Sequence, residues 1–305
     1  MNQTGRNHIK LKGSNVLNKR IRDWLILIIK VVLSLLAIVY VLKRIKLGDI
    51  KTILASAHDV YLVFAFLLFV ASKMVAAFRT LLILNEYSVT ISWWDNLKLY
   101  WTGMFYNLFL PGGIGGDVYK TVVINKMHSN GIKISAGAVL TDRIAGVAAL
   151  VILALLCILL TDLHDNYGWI SYVGIPITLI GFICIILFFM PRLKSIIGKL
   201  LGWSFLVQIF QVLAVLIILV TFNINTGFPE YLLIFLISSI AAMLPLSVGG
   251  IGIRELVFFS ISDYLGLDQN VAVTVSFTFY LITAIASLWG AITALERRRL
   301  KKSGV

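Results

Sequence analysis

The sequence predicts an all-α integral membrane protein with about six full spans. Two further Pro/Gly-broken regions read as re-entrant helical hairpins forming an inverted pseudo-repeat. Three observations predict this class. Of the 305 residues, 59% are hydrophobic and 13% charged, with mean hydropathy +0.94; soluble domains run at about 45–50% and about 25%. Repeated apolar runs approach or exceed the roughly 20 residues that cross a bilayer as a helix. Two apolar regions are interrupted by matching stretches of Pro and Gly.

Residues 1–23 read as a basic cytoplasmic N-terminus, 24–295 as the transmembrane domain and 296–305 as a basic cytoplasmic tail. The apolar run after Asp23 is longer than a signal-peptide core and lacks a small-residue exit, so it is expected to stay as an anchor. Full spans are expected at 24–42, 60–84, 136–160, 169–190, 203–221 and 271–294. The broken regions are 96–125 and 230–266.

Charge orients these elements. The net charge of +13 sits mainly at the ends and in short loops, as the positive-inside rule requires of cytoplasmic segments. It forms no compact basic module of the kind that binds nucleic acid. PRLKSIIGK (191–199) and ERRRLKK (296–302) read as inside; TDLHDNYG (161–168), TFNINTGFPE (221–230) and DYLGLD (263–268) read as outside. These assignments agree if 96–125 dips in from the cytoplasm and 230–266 from outside. KRIKLGDIK (43–51) opposes them, placing four basic residues on the outer side. The protein is therefore expected in the cytoplasmic membrane of a prokaryote, with both termini inside.

The two breaks align without gaps: LPGGIGGDVYK (110–120) with LPLSVGGIGIR (244–254). Pro111 matches Pro245, Gly113 matches Ser247, and Gly115-Gly116 match Gly249-Gly250. A cation, Lys120 or Arg254, follows nine residues after each proline. Proline removes a backbone donor and glycine allows a turn without a Cβ clash. The helix that resumes carries unpaired N–H groups and partial positive charge at its N-terminus, which suits a phosphate or carboxylate. Inverted, interrupted segments are a pointer to a transport site near the midplane. Close helix packing at small residues is the blander reading, but it leaves the matched cations unexplained.

Charged side chains within apolar helices cost about 2.5–3.5 kcal/mol each at the centre on insertion scales. The substrate-binding candidates are Gly112, Gly113, Gly115, Gly116, Asp117, Lys120, Asp142, Arg143, Gly249, Gly250, Arg254 and Glu255, with Pro111 and Pro245 as hinges. Lys120, Arg143 and Arg254 would line a site for an anionic head group. Asp117, Asp142 and Glu255 would orient them or exchange protons. Structural ion pairing is the competing reading, above all for Asp142-Arg143. Lys30 and Lys73 can snorkel, and Arg79 lies in the same part of the chain. Tyr106 and Tyr119 could face the cavity, though aromatic packing explains them as well. Trp93, Trp94 and Trp101 read as an interfacial belt.

Cys157 and Cys184 fit neither a disulfide framework nor a zinc pattern. His8, His58, His128 and His164 fall in expected loops. GGIGGDVYK lacks P-loop spacing, and no dinucleotide or hydrolase motif occurs. No cofactor, metal site or enzymatic activity is expected.

The set FLPGGIGGDVYK, AVLTDRIAG, LPLSVGGIGIRE and the following LGL resembles the flippase-like membrane family: the transmembrane region of lysylphosphatidylglycerol synthase, also called the multiple peptide resistance factor, and its stand-alone homologues. The likeness covers nearly all of the chain beyond residue 20. It implies that Pro111, Gly112, Gly113, Gly115, Gly116, Asp117, Asp142, Arg143, Gly249, Gly250, Gly252, Arg254 and Glu255 are functional positions. In the fused synthases this region is associated with moving aminoacylated phosphatidylglycerol outward. Here the chain stops at Val305, just after the last span, so the resemblance implies translocation without synthesis. The cargo would be an anionic or aminoacylated phospholipid or a polyprenyl-phosphate-linked glycolipid. A separate lipid-modifying enzyme or glycosyltransferase would be a partner. An ion-coupled carrier of a small soluble anion, a membrane enzyme on lipid-linked substrates and a non-transporting scaffold remain open.

Overall fold

The computed structural model describes residues 59–109, 114–128, 131–244, 247 and 249–302, together with isolated positions 25, 32, 36, 39, 40 and 43. The expected first span, 24–42, lies outside the described residues apart from those positions. So do Pro111, Gly112, Gly113 and Pro245. The described residues are helical, without strands. Five helical segments are long and apolar enough to cross a membrane: Asp59–Glu86, Ile132–Ile158, His164–Phe189, Pro191–Thr221 and Gln269–Leu295.

In chain order the helices are α1 (Asp59–Glu86), α2 (Trp93–Phe109), α3 (Gly115–His128), α4 (Ile132–Ile158), α5 (His164–Phe189), α6 (Ile197–Thr221), α7 (Phe228–Met243), α8 (Ile253–Tyr264) and α9 (Gln269–Lys302), with a 3-10 turn at Pro191–Ile196 before α6. The five long segments answer to five of the expected spans. The broken regions become two pairs of shorter helices, of 17 and 14 residues and of 16 and 12 residues. At 1.5 Å per residue none reaches the roughly 30 Å of a bilayer core.

Each short pair folds back on itself. Asn107 bonds Gly116, and Lys120 packs over Gly103. Rising numbers on α2 thus meet falling numbers on α3, so the two helices run antiparallel. Gly227 likewise faces Leu267 while Gly250 faces Ala242, so the second pair turns back in the same way. Gly116 makes the first turn possible: a Cβ there would stand 1.8 Å from the Gly103 carbonyl oxygen. Close backbone approach of this kind requires glycine.

α2 and α3 pack on each other, α2 also on α9 and α3 on α4; α7 and α8 pack on each other, α7 also on α4 and α8 on α9. α1 packs along α6. This set of neighbours is unchanged when α1 is exchanged with α6, α2 with α7, α3 with α8 and α4 with α9. α5 stands outside the exchange, and most of its surface faces outward.

The main core joins α1, α4, α6, α7, α8 and α9 through residues such as Phe69, Ile218, Phe235, Phe258 and Phe279. A second cluster gathers Ile83, Leu99, Ile124, Phe182 and Leu200. Trp101 belongs to this packed interior, contrary to the expected interfacial belt. It is 5% exposed, and its indole N–H donates to the Ala286 carbonyl at 3.0 Å. α9 comes that close because Gly290 lies against Trp101, where a Cβ would stand 2.1 Å from its carbonyl oxygen. Trp94, by contrast, is exposed.

Candidate functional site

A cavity of about 260 Å³ opens among the long helices and the two short pairs. Its walls come from α1 (Lys73, Arg79), α2 (Tyr100, Asn107), α3 (Asp117, Lys120) and α4 (Asp142, Arg143). α6 adds Gln208 and Gln211, α7 adds Ser239, Gly249 follows α7, α8 adds Arg254 and α9 adds Thr283. Lys73 stands halfway along α1, and Gln208 and Gln211 halfway along α6. The polar groups therefore gather where those two helices are farthest from their ends.

Arg79 and Asp142 anchor the wall. Arg79 Nε donates to Asp142 Oδ1 at 2.8 Å, and its Nη1 donates to Ser204 Oγ at 2.7 Å. Ser204 Oγ donates in turn to the Leu200 carbonyl at 2.6 Å, so one guanidinium ties α1 to α4 and α6. Arg143 is paired instead with Asp117 of α3. Adjacent helical residues point about 100° apart, which explains why Asp142 and Arg143 have different partners rather than each other.

Three basic side chains in the wall have no carboxylate within ion-pair distance among the described residues: Lys73, Lys120 and Arg254. Each lies over an aromatic ring. Lys73 Nζ is 4.5 Å from the centroid of Phe69, Lys120 Nζ 3.9 Å from Tyr100, and the Arg254 guanidinium 5.4 Å from Phe279. Such contacts contribute about 0.5–2 kcal/mol and leave the positive charge uncancelled. A cavity of this volume is roughly 8 Å across, and two like charges so separated repel by about 2 kcal/mol at an effective dielectric of about 20. Around these groups stand neutral donors and acceptors. One of them, Ser239 Oγ, is buried without a hydrogen-bond partner among the described residues.

At both helix N-termini a side chain already takes one backbone donor. Gly116 N–H donates to Asn107 Oδ1 at 2.8 Å, and Asn107 Nδ2 reaches Asp117 Oδ1 at 3.3 Å. At α8, Gly252 N–H donates to Glu255 Oε2 at 2.8 Å, and Ser276 Oγ donates to the other carboxylate oxygen at 3.5 Å. One of the orphan donors at each end is thus answered within the chain.

Of the expected site residues, Asp117, Lys120, Asp142, Arg143, Gly249 and Arg254 line the one cavity. Gly115, Gly116, Gly250 and Glu255 do not: the first three shape the breaks and Glu255 caps α8. Gly249, at φ 61°, rests on α2, where a Cβ would be 2.3 Å from the Leu108 carbonyl oxygen. Tyr106 and Tyr119 pack edge to face with centroids 4.9 Å apart and are not among the lining residues; Tyr100 holds that place. Gln208 and Gln211 were not singled out from sequence. Their signal was there: two amides three residues apart, on one face of an apolar helix. Among the described residues no group of His, Cys, Asp and Glu could hold a metal ion, and Cys157 and Cys184 are free thiols.

Comparison with known proteins places the whole arrangement. The family described as the lysylphosphatidylglycerol synthase TM region matches residues 27–197 and 191–290. The UPF0104 membrane protein PH1989 of Pyrococcus horikoshii is 24% identical over 294 residues, covering 79% of this chain and 88% of that protein.

Proposed function

The chain belongs to the lysylphosphatidylglycerol synthase TM region family, and from that premise we propose that it is a lipid translocase for an anionic head group. The carrying observation is the trio Lys73, Lys120 and Arg254, basic side chains lining one cavity with no carboxylate within ion-pair distance among the described residues. Ion pairing accounts for Arg79 and Arg143 but not for these three. Their insertion carries a cost that a bound anion would offset.

In this reading α2–α3 and α7–α8 are re-entrant hairpins entering from opposite faces, and their tips bring Lys120 and Arg254 to mid-depth. The exchange symmetry of the packing supports such an inverted repeat. Both termini lie in the cytoplasm. The head group crosses through the polar cavity while its tails stay in the bilayer. Moving one negative charge outward across 100 mV, inside negative, releases about 2.3 kcal/mol, enough to bias the distribution without a nucleotide.

The test is head-group accessibility in liposomes carrying purified protein and a fluorescent anionic lipid. Movement between leaflets is expected with the natural sequence and is expected to fall at least tenfold in a Lys120→Ala, Arg254→Ala double variant that remains folded. A folded natural protein that moves no anionic lipid would overturn the reading. The size of the cavity also favours a second reading, an ion-coupled carrier of a small soluble anion. Uptake of phosphate or a carboxylate into sealed liposomes, without lipid movement, would select it.

A further inference from the structure

We infer that the head group this cavity takes is a phosphate monoester or a diphosphate, bearing at least two negative charges and no amine. The inference rests on the cavity being a head-group site and narrows its chemistry. The argument begins with what each lining charge already has. Asp142 is held by Arg79 and Asp117 by Arg143. Glu255 is outside the lining and is turned onto Gly252 and Ser276. Each lining carboxylate is thus already matched by one arginine, and an added ammonium would meet no uncompensated negative charge among the described residues.

On the positive side, Lys73, Lys120 and Arg254 all remain without a carboxylate within ion-pair distance among the described residues. A phosphate diester brings one negative charge and leaves two of the three basic groups facing each other. A lysyl ester of that diester brings one negative and two positive charges, and so adds to the mutual repulsion. A monoester near two negative charges, or a diphosphate, is what offsets three converging basic groups. Charge-assisted bonds from Lys and Arg to phosphate oxygens are the strong ones of their kind. Ser239 Oγ, buried and unpartnered among the described residues, supplies a neutral donor in the same wall.

Binding can be measured apart from transport. The full chain in nanodiscs of zwitterionic lipid is titrated at pH 8 by calorimetry, with empty nanodiscs as the blank. The probes are farnesyl phosphate, farnesyl diphosphate, dihexanoyl phosphatidylglycerol, its lysyl ester, and inorganic pyrophosphate. Farnesyl phosphate and diphosphate are expected to bind at least tenfold more tightly than the diester, and the lysyl ester more weakly still. Pyrophosphate binding as tightly as farnesyl diphosphate would assign the same chemistry to a soluble ligand; weaker binding assigns it to a lipid.

Lys120→Gln and Arg254→Gln should each reduce the advantage of monoester over diester at least tenfold. Lowering the pH to 5 protonates the monoester, whose second pKa is about 6, and should shrink the same advantage without any substitution. That arm holds even if a variant fails to fold. A lysyl ester that binds as well as its parent, a diester that binds as well as the monoester, or no binding by any probe would overturn the inference. Tight monoester binding without lipid movement would retain it and sink translocation instead.

Discussion

Arg79 of α1 and Asp142 of α4, 63 positions apart in sequence, meet at 2.8 Å in the cavity wall, with Ser204 of α6 on the far side of the guanidinium. Three long helices thus share one charged joint. Removing one member of a buried pair costs about 3–5 kcal/mol, because the other charge stays buried alone. Asp142→Asn should therefore lower the melting temperature of the purified protein more than the paired change Arg79→Met with Asp142→Leu. If the double variant is the less stable of the two, the pair contributes more than mutual neutralisation.

Gly103 makes room for the stem of Lys120. A Cβ at that position would stand 2.6 Å from Lys120 Cε and 3.1 Å from its Cγ. The obstacle is a flexible chain, so Gly103→Ala should displace the ammonium while lowering stability by about 1 kcal/mol or less. Lipid movement should fall severalfold at near-normal melting temperature. Unaltered movement would show that the position of the lysine is not critical.

Gly116→Ala should behave differently, because there the added methyl meets the backbone oxygen of Gly103. Helices α2 and α3 must separate, at a cost of about 1–3 kcal/mol or more. Gly202→Ala is the comparison: among the described residues nothing lies within 4 Å of its Cβ position, and the interior of α6 should gain about 1 kcal/mol. Melting curves of the two variants should move in opposite directions.

Glu255 tests whether a buried carboxylate is structural or carries protons. Its oxygens accept from Gly252 N–H and Ser276 Oγ, so Glu255→Gln keeps an acceptor for the cap and Glu255→Ala loses it, at about 0.5–2 kcal/mol. If the role is capping, Gln should transport like Glu and Ala should be less stable. A stable Gln variant that no longer transports would assign the carboxylate a part in the cycle.

Hydropathy made the long helices legible, because a span of apolar residues is its own signal; the described spans Asp59–Glu86 and Ile132–Ile158 lie within a few residues of the expected 60–84 and 136–160. The two breaks were legible because Pro and Gly act locally. Six of the named positions line the cavity: Asp117, Lys120, Gly249 and Arg254 sit in or just beyond those breaks, and Asp142 and Arg143 stood out as charges within an apolar helix. What the sequence left unresolved was rotation and pairing. Lys73 looked like a residue able to snorkel and Arg79 had no assigned role, and only the packing of α1 along α6 turns them into the wall. Asp142 and Arg143 read as candidates for ion pairs between helices, which both form, but their partners, Arg79 and Asp117, could not be read from the sequence. Asn107 gave no sign that it would occupy Gly116 N–H, since that bond depends on how α2 and α3 meet.

The contact between Gly249 and the Leu108 carbonyl has a mechanical meaning. The second break rests on the last turn of the helix that leads into the first, with no side chain between them to act as a cushion. Neither pair can slide past the other without first losing that seat. A motion of one pair must therefore either break that seat or carry the other pair with it, so the two breaks are one joint rather than two.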